Sequence, residues 1–97
     1  MARRLSIRIE LDGDVDRERQ FAYVRAADEA GVEVVFAPET WGRDVFSLLV
    51  QVAERTRRIQ LGPGIVNVFS RSPAALAQHL ATLDEISGGR AVAGFGT

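Results

Sequence analysis

The 97-residue chain contains no cysteine, no lysine, a single histidine and no long apolar run. Without cysteine there are no disulfides, no thiolate metal ligands and no cysteine nucleophile. One histidine also removes the usual multi-histidine metal sites, so no metal is expected. Twelve basic residues, all arginine, stand against 13 acidic ones and leave a formal net charge of -1. That balance gives no electrostatic case for nucleic acid or for an anionic membrane surface. No stretch approaches the ~20 apolar residues of a membrane span. The basic start, Met1-Ala-Arg-Arg4, is not followed by a signal-like apolar segment. A cytoplasmic location is the expectation. What remains is ordinary globular material, 46% hydrophobic and 26% charged. It suffices for one small domain that buries roughly 60–70% of its unfolded surface.

Leu5-Ser-Ile-Arg-Ile-Glu-Leu11 alternates strictly, with Leu5, Ile7, Ile9 and Leu11 on one face and Ser6, Arg8 and Glu10 on the other. That is the period of a strand. Asp12-Gly13-Asp14 ends it. Asp14 or Asp16 can cap a helix running to about Ala30, with Phe21, Val24 and Ala27 inward and Gly31 closing it. Val32–Ala37 is nearly continuous apolar sequence, as expected for a strand covered on both faces. Asp44 caps a second helix to about Arg55, with Val45, Leu48, Leu49 and Val52 at helical spacing. Strand resumes at Ile59. Ser72-Pro73 is a helix-start pair, and Leu76, His79, Leu80 and Leu83 share a face of the helix that follows. Gly88-Gly89 stops it, and Ala91–Phe95 reads as a fourth strand. The order βαβαβαβ with short connections predicts an α/β fold of parallel strands with helices outside.

In such folds ligands bind at the carboxyl ends of the strands. Those ends read Glu10-Leu-Asp12, Pro38-Glu-Thr-Trp41, Gly64-Ile-Val-Asn67 and Gly94-Phe-Gly-Thr97, while the amino ends are bland. The polar row Ser6, Arg8, Glu10 would be costly under helices in an open doubly wound sheet. It suits the inside of a barrel, where Glu10 would sit in the mouth. The punctuated stretch LGPGIVNVFSRSP, Leu61 to Pro73, breaks its strand at the corresponding end.

The segment Ile59 to Thr97 resembles the luciferase-like monooxygenase family. It is closest to the branch using the deazaflavin coenzyme F-420, which includes methylenetetrahydromethanopterin reductase. The resemblance rests on LGPGI, Asn67, SRSP, ATLDEISGGR and GFGT, and extends back through Trp41–Phe46 to the first strand. It implies a (β/α)₈ barrel, of which residues 1–97 would be the first half. A barrel of this kind typically takes ~250 residues. A fragment, a truncated reading frame or a half-barrel is therefore expected, and none should be a competent enzyme alone. Self-association, or pairing with a C-terminal half, would be needed to cover the open strands.

The resemblance further implies hydride transfer between F-420 and a small organic substrate, with FMN in a two-component monooxygenase as the alternative. It implies a bulge in the third strand with a cis peptide at Gly64–Ile65 behind the deazaflavin ring. Glu10 matches an acidic position near the reacting centre, where it would polarise substrate or assist a proton; an ion pair with Arg8 or with a residue of the missing half is the rival reading. Glu39 and Thr40 are expected to hydrogen-bond the coenzyme, Thr40 standing where the family often has histidine. Ile65, Gly94, Gly96 and Thr97 complete the coenzyme contacts; Asn67 would bond the coenzyme or fix its own loop, and Trp41 would wall the substrate pocket or pack. Arg71 would reach the coenzyme's acidic tail or pair with Asp84 or Glu85. His79, within an apolar helix face, is expected to pack, and Asp84, Glu85 and Ser87 to fix the turn after their helix.

Overall fold

Three helices lie against one face of a parallel sheet, and the other face is left open. The computed structural model describes residues 5–11 and 13–96, so Asp12 and the expected coenzyme contact Thr97 lie outside the described residues. The elements are β1 (Ser6–Arg8), α1 (Arg17–Ala30), β2 (Val34–Ala37), α2 (Val45–Glu54), β3 (Gln60–Pro63), β4 (Val66–Asn67), α3 (Pro73–Ile86) and β5 (Phe95–Gly96).

Each helix begins where a side chain can accept from an otherwise unpaired N–H. Asp16 accepts from Arg19, Asp44 from Phe46 and Ser47, and Ser72 from Ala75, with Pro73 entering the first turn. α1 ends at Gly31, whose φ of 89° is left-handed, and the turn after α3 uses Gly88 and Gly89 at 70° and 88°. No helix among the described residues is long and apolar enough to cross a membrane.

β1, β2 and β3 pair in parallel, with Ser6, Val34 and Gln60 in one row and Arg8, Phe36 and Gly62 in another. The expected fourth strand is met in two pieces: Ala91 bridges Leu61, and β5 pairs with β4 through Val66–Phe95 and Asn67–Gly96. From Leu61 to Val66 is five steps, but from Ala91 to Phe95 only four. The third strand therefore carries one extra residue, a bulge. It falls between Pro63, whose carbonyl accepts from Gly94 N–H, and Val66, whose N–H donates to the Gly94 carbonyl. Gly64–Ile65 sits in that gap, and its peptide bond is cis. The punctuation of LGPGIV is thus the bulge itself.

Ile9, Val35, Ala37, Ile59, Leu61 and Val66 are buried in one cluster with Phe21, Val24, Leu49, Val52, Leu76 and Leu83 from the three helices. The alternate residues fare differently: Ser6 and Arg8 are exposed, and Val34, Phe36 and Gln60 are only half-buried. The expectation that β2 is covered on both faces is corrected here, because all three helices occupy the same side. His79 does pack, its ring stacked on Phe46 at 5.0 Å.

The amino end of the sheet is held by the buried Asp28 and the half-buried Arg90. The Asp28 carboxylate accepts from the N–H groups of Arg57, Arg58 and Ile59 at 2.8–3.0 Å. Burial pushes this carboxyl up, but the three donors and the Arg90 charge outweigh it and hold it below its ordinary value. Arg90 donates to the Thr56 hydroxyl at 2.8 Å and to the carbonyls of Ala53, Ile59 and Ser87. Ser87 accepts from Arg90 N–H and Asp84 from Ala91 N–H, fixing the turn as expected.

Candidate functional site

The carboxyl ends of the strands carry two loops, 38–44 after β2 and 67–72 after β4. Between them is a cavity of about 300 Å³ whose lining includes Glu39, Thr40, Trp41, Asn67, Ser70 and Arg71. A shallower cleft beside it joins Glu10 and Gly13 to Thr40 and Trp41. Thr40 and Trp41 therefore border both spaces, and Glu10 borders one. The Glu10 N–H donates to the Gln20 side chain at 3.3 Å. Trp41 is 88% exposed.

The Glu39 side chain, only 7% exposed, is tied to its surroundings. Its two oxygens accept from the two terminal nitrogens of Arg71, each at 2.8 Å, and one also accepts from Val45 N–H at 3.0 Å. Arg71 also donates to Ser70 Oγ and to Asp44, the capping residue of α2, and lies 5.1 Å from the centre of the Phe46 ring. The Arg71 hydrogen bonds hold the Glu39 carboxyl low against the opposing effect of burial. For Asp44 burial again pushes up, and the Ser47 hydroxyl, the N–H groups of Phe46 and Ser47, and Arg71 prevail. Glu39 in turn raises Arg71. The expected pairing of Arg71 with Asp84 or Glu85 is corrected: those residues lie at the far end of α3, whereas Arg71 precedes its first turn.

Backbone bonds join the bulge to the end of β2. Glu39 N–H donates to the Ile65 carbonyl at 3.0 Å and Gly64 N–H to the Ala37 carbonyl at 2.9 Å. The Asn67 side-chain oxygen accepts from Phe69 N–H at 2.8 Å, and its carbonyl accepts from Ser70, which closes the next turn.

Three glycines expected to face the coenzyme are met first by the chain itself. A Cβ on Gly64 would stand 2.8 Å from Phe36 Cβ, one on Gly94 2.6 Å from the Pro63 carbonyl oxygen, and one on Gly96 1.8 Å from Ile65 Cδ1. Ile65 thus lies along the fourth strand, 45% exposed, its tip in the space a Cβ on Gly96 would take. Phe95, in register with Val66, points to the opposite side. Phe36, Ile65, Gly94 and Gly96 make a partly open apolar surface at the strand ends, a suitable floor for a flat aromatic ring. The same end offers no arginine η-donor at position 71 for a charged tail. Among the described residues no group of acidic or histidine side chains could hold a metal.

Sequence reasoning missed the Arg71–Glu39–Asp44 cluster, although each member stood beside a strand end. It also passed over Phe69, 80% exposed at the tip of its loop.

The sequence pattern of luciferase-like monooxygenases matches residues 5–97. The 5,10-methylenetetrahydromethanopterin reductase of Archaeoglobus fulgidus is 43% identical over 75 residues, which cover 76% of this chain and 23% of that protein. The coenzyme F420 dependent tetrahydromethanopterin reductase structure from Methanopyrus kandleri superposes with a TM-score of 0.86 at 31% identity, covering 95% of this chain and 26% of that one. The oxygenating constituent of 3,6-diketocamphane monooxygenase from Pseudomonas putida, solved with FMN, gives 0.84 at 20% identity over 99% and 30%, a likeness of fold alone. The chain spans about a quarter of the length of the curated relatives it matches. With those neighbours it shares the parallel α/β architecture expected of the first half of a (β/α)₈ barrel. By sequence pattern and by fold, the chain belongs to the luciferase-like monooxygenase family.

Proposed function

We propose that residues 1–97 form the N-terminal, coenzyme-facing part of an oxidoreductase that moves hydride between coenzyme F-420 and a small organic substrate. The observation that carries this reading is the third-strand bulge, which leaves Ile65 as an exposed apolar shelf braced by Gly94 and Gly96. Identity to the coenzyme F420 dependent reductase of Methanopyrus kandleri and to a putative coenzyme F420-dependent oxidoreductase of Mycobacterium tuberculosis supports the choice of coenzyme. When bound, the deazaflavin supplies the hydride chemistry, and the protein supplies orientation and electrostatics. Ile65 and Gly64 back the ring. Thr40 and Asn67 supply polar contacts at its rim, as does Thr97. Glu10 and Trp41 border the cleft on the substrate side, Glu10 to polarise substrate or hold a proton and Trp41 as a wall.

The rest of the coenzyme site belongs to later strands of the barrel, so the chain alone binds weakly and is inactive. Its open sheet face and edges pair with a C-terminal half or with a second copy. A monooxygenase using FMN is the second reading, favoured by 38% identity over 66 residues to the limonene 1,2-monooxygenase of Rhodococcus erythropolis. The test is absorbance titration of F-420 and of FMN against the chain, alone and mixed with a complementing C-terminal half. F-420 binding that tightens with the second half is expected. Tight FMN binding with none for F-420 would overturn the assignment.

A further inference from the structure

We infer that Arg71 is a positioning residue that locks the two site loops to each other, and that Glu39 serves this lock rather than contacting the coenzyme. The bonding pattern leaves little else for either group. Each terminal nitrogen of Arg71 has two hydrogens. One nitrogen meets Glu39 and Ser70, the other Glu39 and Asp44. Both are satisfied internally, so the fork has no η-hydrogen left for a ligand's acidic tail. Glu39 is likewise engaged through both oxygens, one of them also on Val45 N–H at the start of α2.

The partners are 27 and 32 residues away from Arg71 in sequence. One side of the lock is the loop bearing Thr40 and Trp41 and the cap of α2. The other is the loop bearing Asn67 and the entry to α3. Each loop is stabilised separately by its own cap, Asp44 or Ser72. A backbone bond from Glu39 N–H to the Ile65 carbonyl joins the first loop to the bulge that leads into the second. The guanidinium adds a rigid planar bridge above it, resting on Phe46. Lysine, with one point charge, cannot engage both Glu39 oxygens and Asp44 in that geometry.

The inference rests on the proposed coenzyme reading only for what the aligned loops hold, and its test separates the two. Amide hydrogen exchange is measured by segment on the coenzyme-free chain and on Arg71→Gln, Arg71→Lys, Glu39→Gln and the Glu39→Gln/Arg71→Gln pair. F-420 affinity is then measured on the same proteins, each mixed with the complementing C-terminal half. Each single change should speed exchange roughly tenfold in residues 39–44 and 67–71 together, leaving α1 and β2 as they were. The double variant should be no worse than either single one, because one interaction is removed twice. F-420 affinity should fall on the order of tenfold or more in all of them through misplaced contacts. Should Arg71→Gln unfold, Arg71→Lys carries the same comparison. Exchange unchanged in the loop opposite the substitution overturns the lock. Affinity lost in Glu39→Gln but kept in Arg71→Gln also overturns it, since Glu39 would then touch the coenzyme directly. Coupled exchange with no F-420 binding by any protein supports the lock and removes the coenzyme reading.

Discussion

The two ends of the sheet each depend on one arginine, and the partners differ. Arg90, at the amino end, reaches four backbone carbonyls and the Thr56 hydroxyl. Arg71, at the carboxyl end, reaches two carboxylates and a serine. Carbonyls near a helix end cannot titrate or turn away, so Arg90 fastens elements that must not move. Carboxylates on loops can be protonated or displaced, so Arg71 fastens loops that a ligand must be able to meet. The amino end is built for stability and the carboxyl end for adjustment, the division expected where chemistry sits at the strand ends.

The largest effect should follow from breaking the amino end. Arg90→Ala strips the guanidinium from the carbonyls of Ala53, Thr56, Ile59 and Ser87 and leaves Asp28 without its nearby cation. A loss of about 3–5 kcal/mol is expected, a large share of the total for a domain of this size. Urea unfolding measures it, and Arg71→Gln should lose clearly less. Equal losses would erase the distinction between the ends.

Next come the glycines, Gly62 in β3 and Gly96 in β5. A Cβ on Gly62 would fall 1.7 Å from the Val92 carbonyl oxygen, which is backbone, whereas one on Gly96 meets the tip of Ile65. Backbone cannot yield without moving the fourth strand. Gly62→Ala should therefore cost about 2–3 kcal/mol, and Gly96→Ala under about 1 because Ile65 can rotate. The Gly96 variant should instead show itself in coenzyme affinity, since the rotated Ile65 no longer forms the same shelf. A larger stability loss at Gly96 than at Gly62 would contradict this ordering.

These residues also mark what could be read from the sequence. Caps are local chemistry, so Asp16, Asp44, Ser72 and Gly31 were legible, and with them the order of elements. The bulge was legible as Gly and Pro within LGPGIV. Its cost in register was not, because that depends on how Ala91–Phe95 pairs with it. The run Val32–Ala37 hid its open face, since residues lining the inside of a barrel are apolar too. Arg71 was matched to acids on its own helix, Asp84 and Glu85. Its actual partners come from another βα unit, and no local spacing reports which loop end folds against which. The glycines of the fourth strand were assigned to the coenzyme, when their immediate neighbours are Pro63 and Ile65.

Acid should sharpen the comparison further. The Glu39 and Asp44 carboxyls are held below their ordinary values, as is Asp28. A carboxyl with a depressed folded-state value binds protons more weakly folded than unfolded. Its stabilisation is complete above the ordinary carboxylate range and is lost as pH falls through the depressed values. Arg71→Gln removes the partner that most depresses Glu39, so that variant should lose less stability on acidification than the parent does. The contribution of Asp28, set by backbone donors, should persist in both. Urea midpoints measured from neutral pH down to about pH 3 report this. An Arg71→Gln profile as steep as the parent's would show that the carboxyl-end cluster adds nothing to the acid response.

The smallest effect on stability is expected at Trp41. With 88% of its surface exposed, it loses almost no packing on truncation, so Trp41→Ala should shift folding stability by no more than about 0.5 kcal/mol. An indole held in water at the meeting point of two clefts is nonetheless an unusual use of the most costly side chain to leave uncovered. If it walls the substrate side, the substitution should weaken ligand binding in a complemented protein while the isolated chain unfolds at the same urea concentration. A stability loss above about 1 kcal/mol would mean that Trp41 packs on this chain after all, and the adjustable end would then begin beyond it.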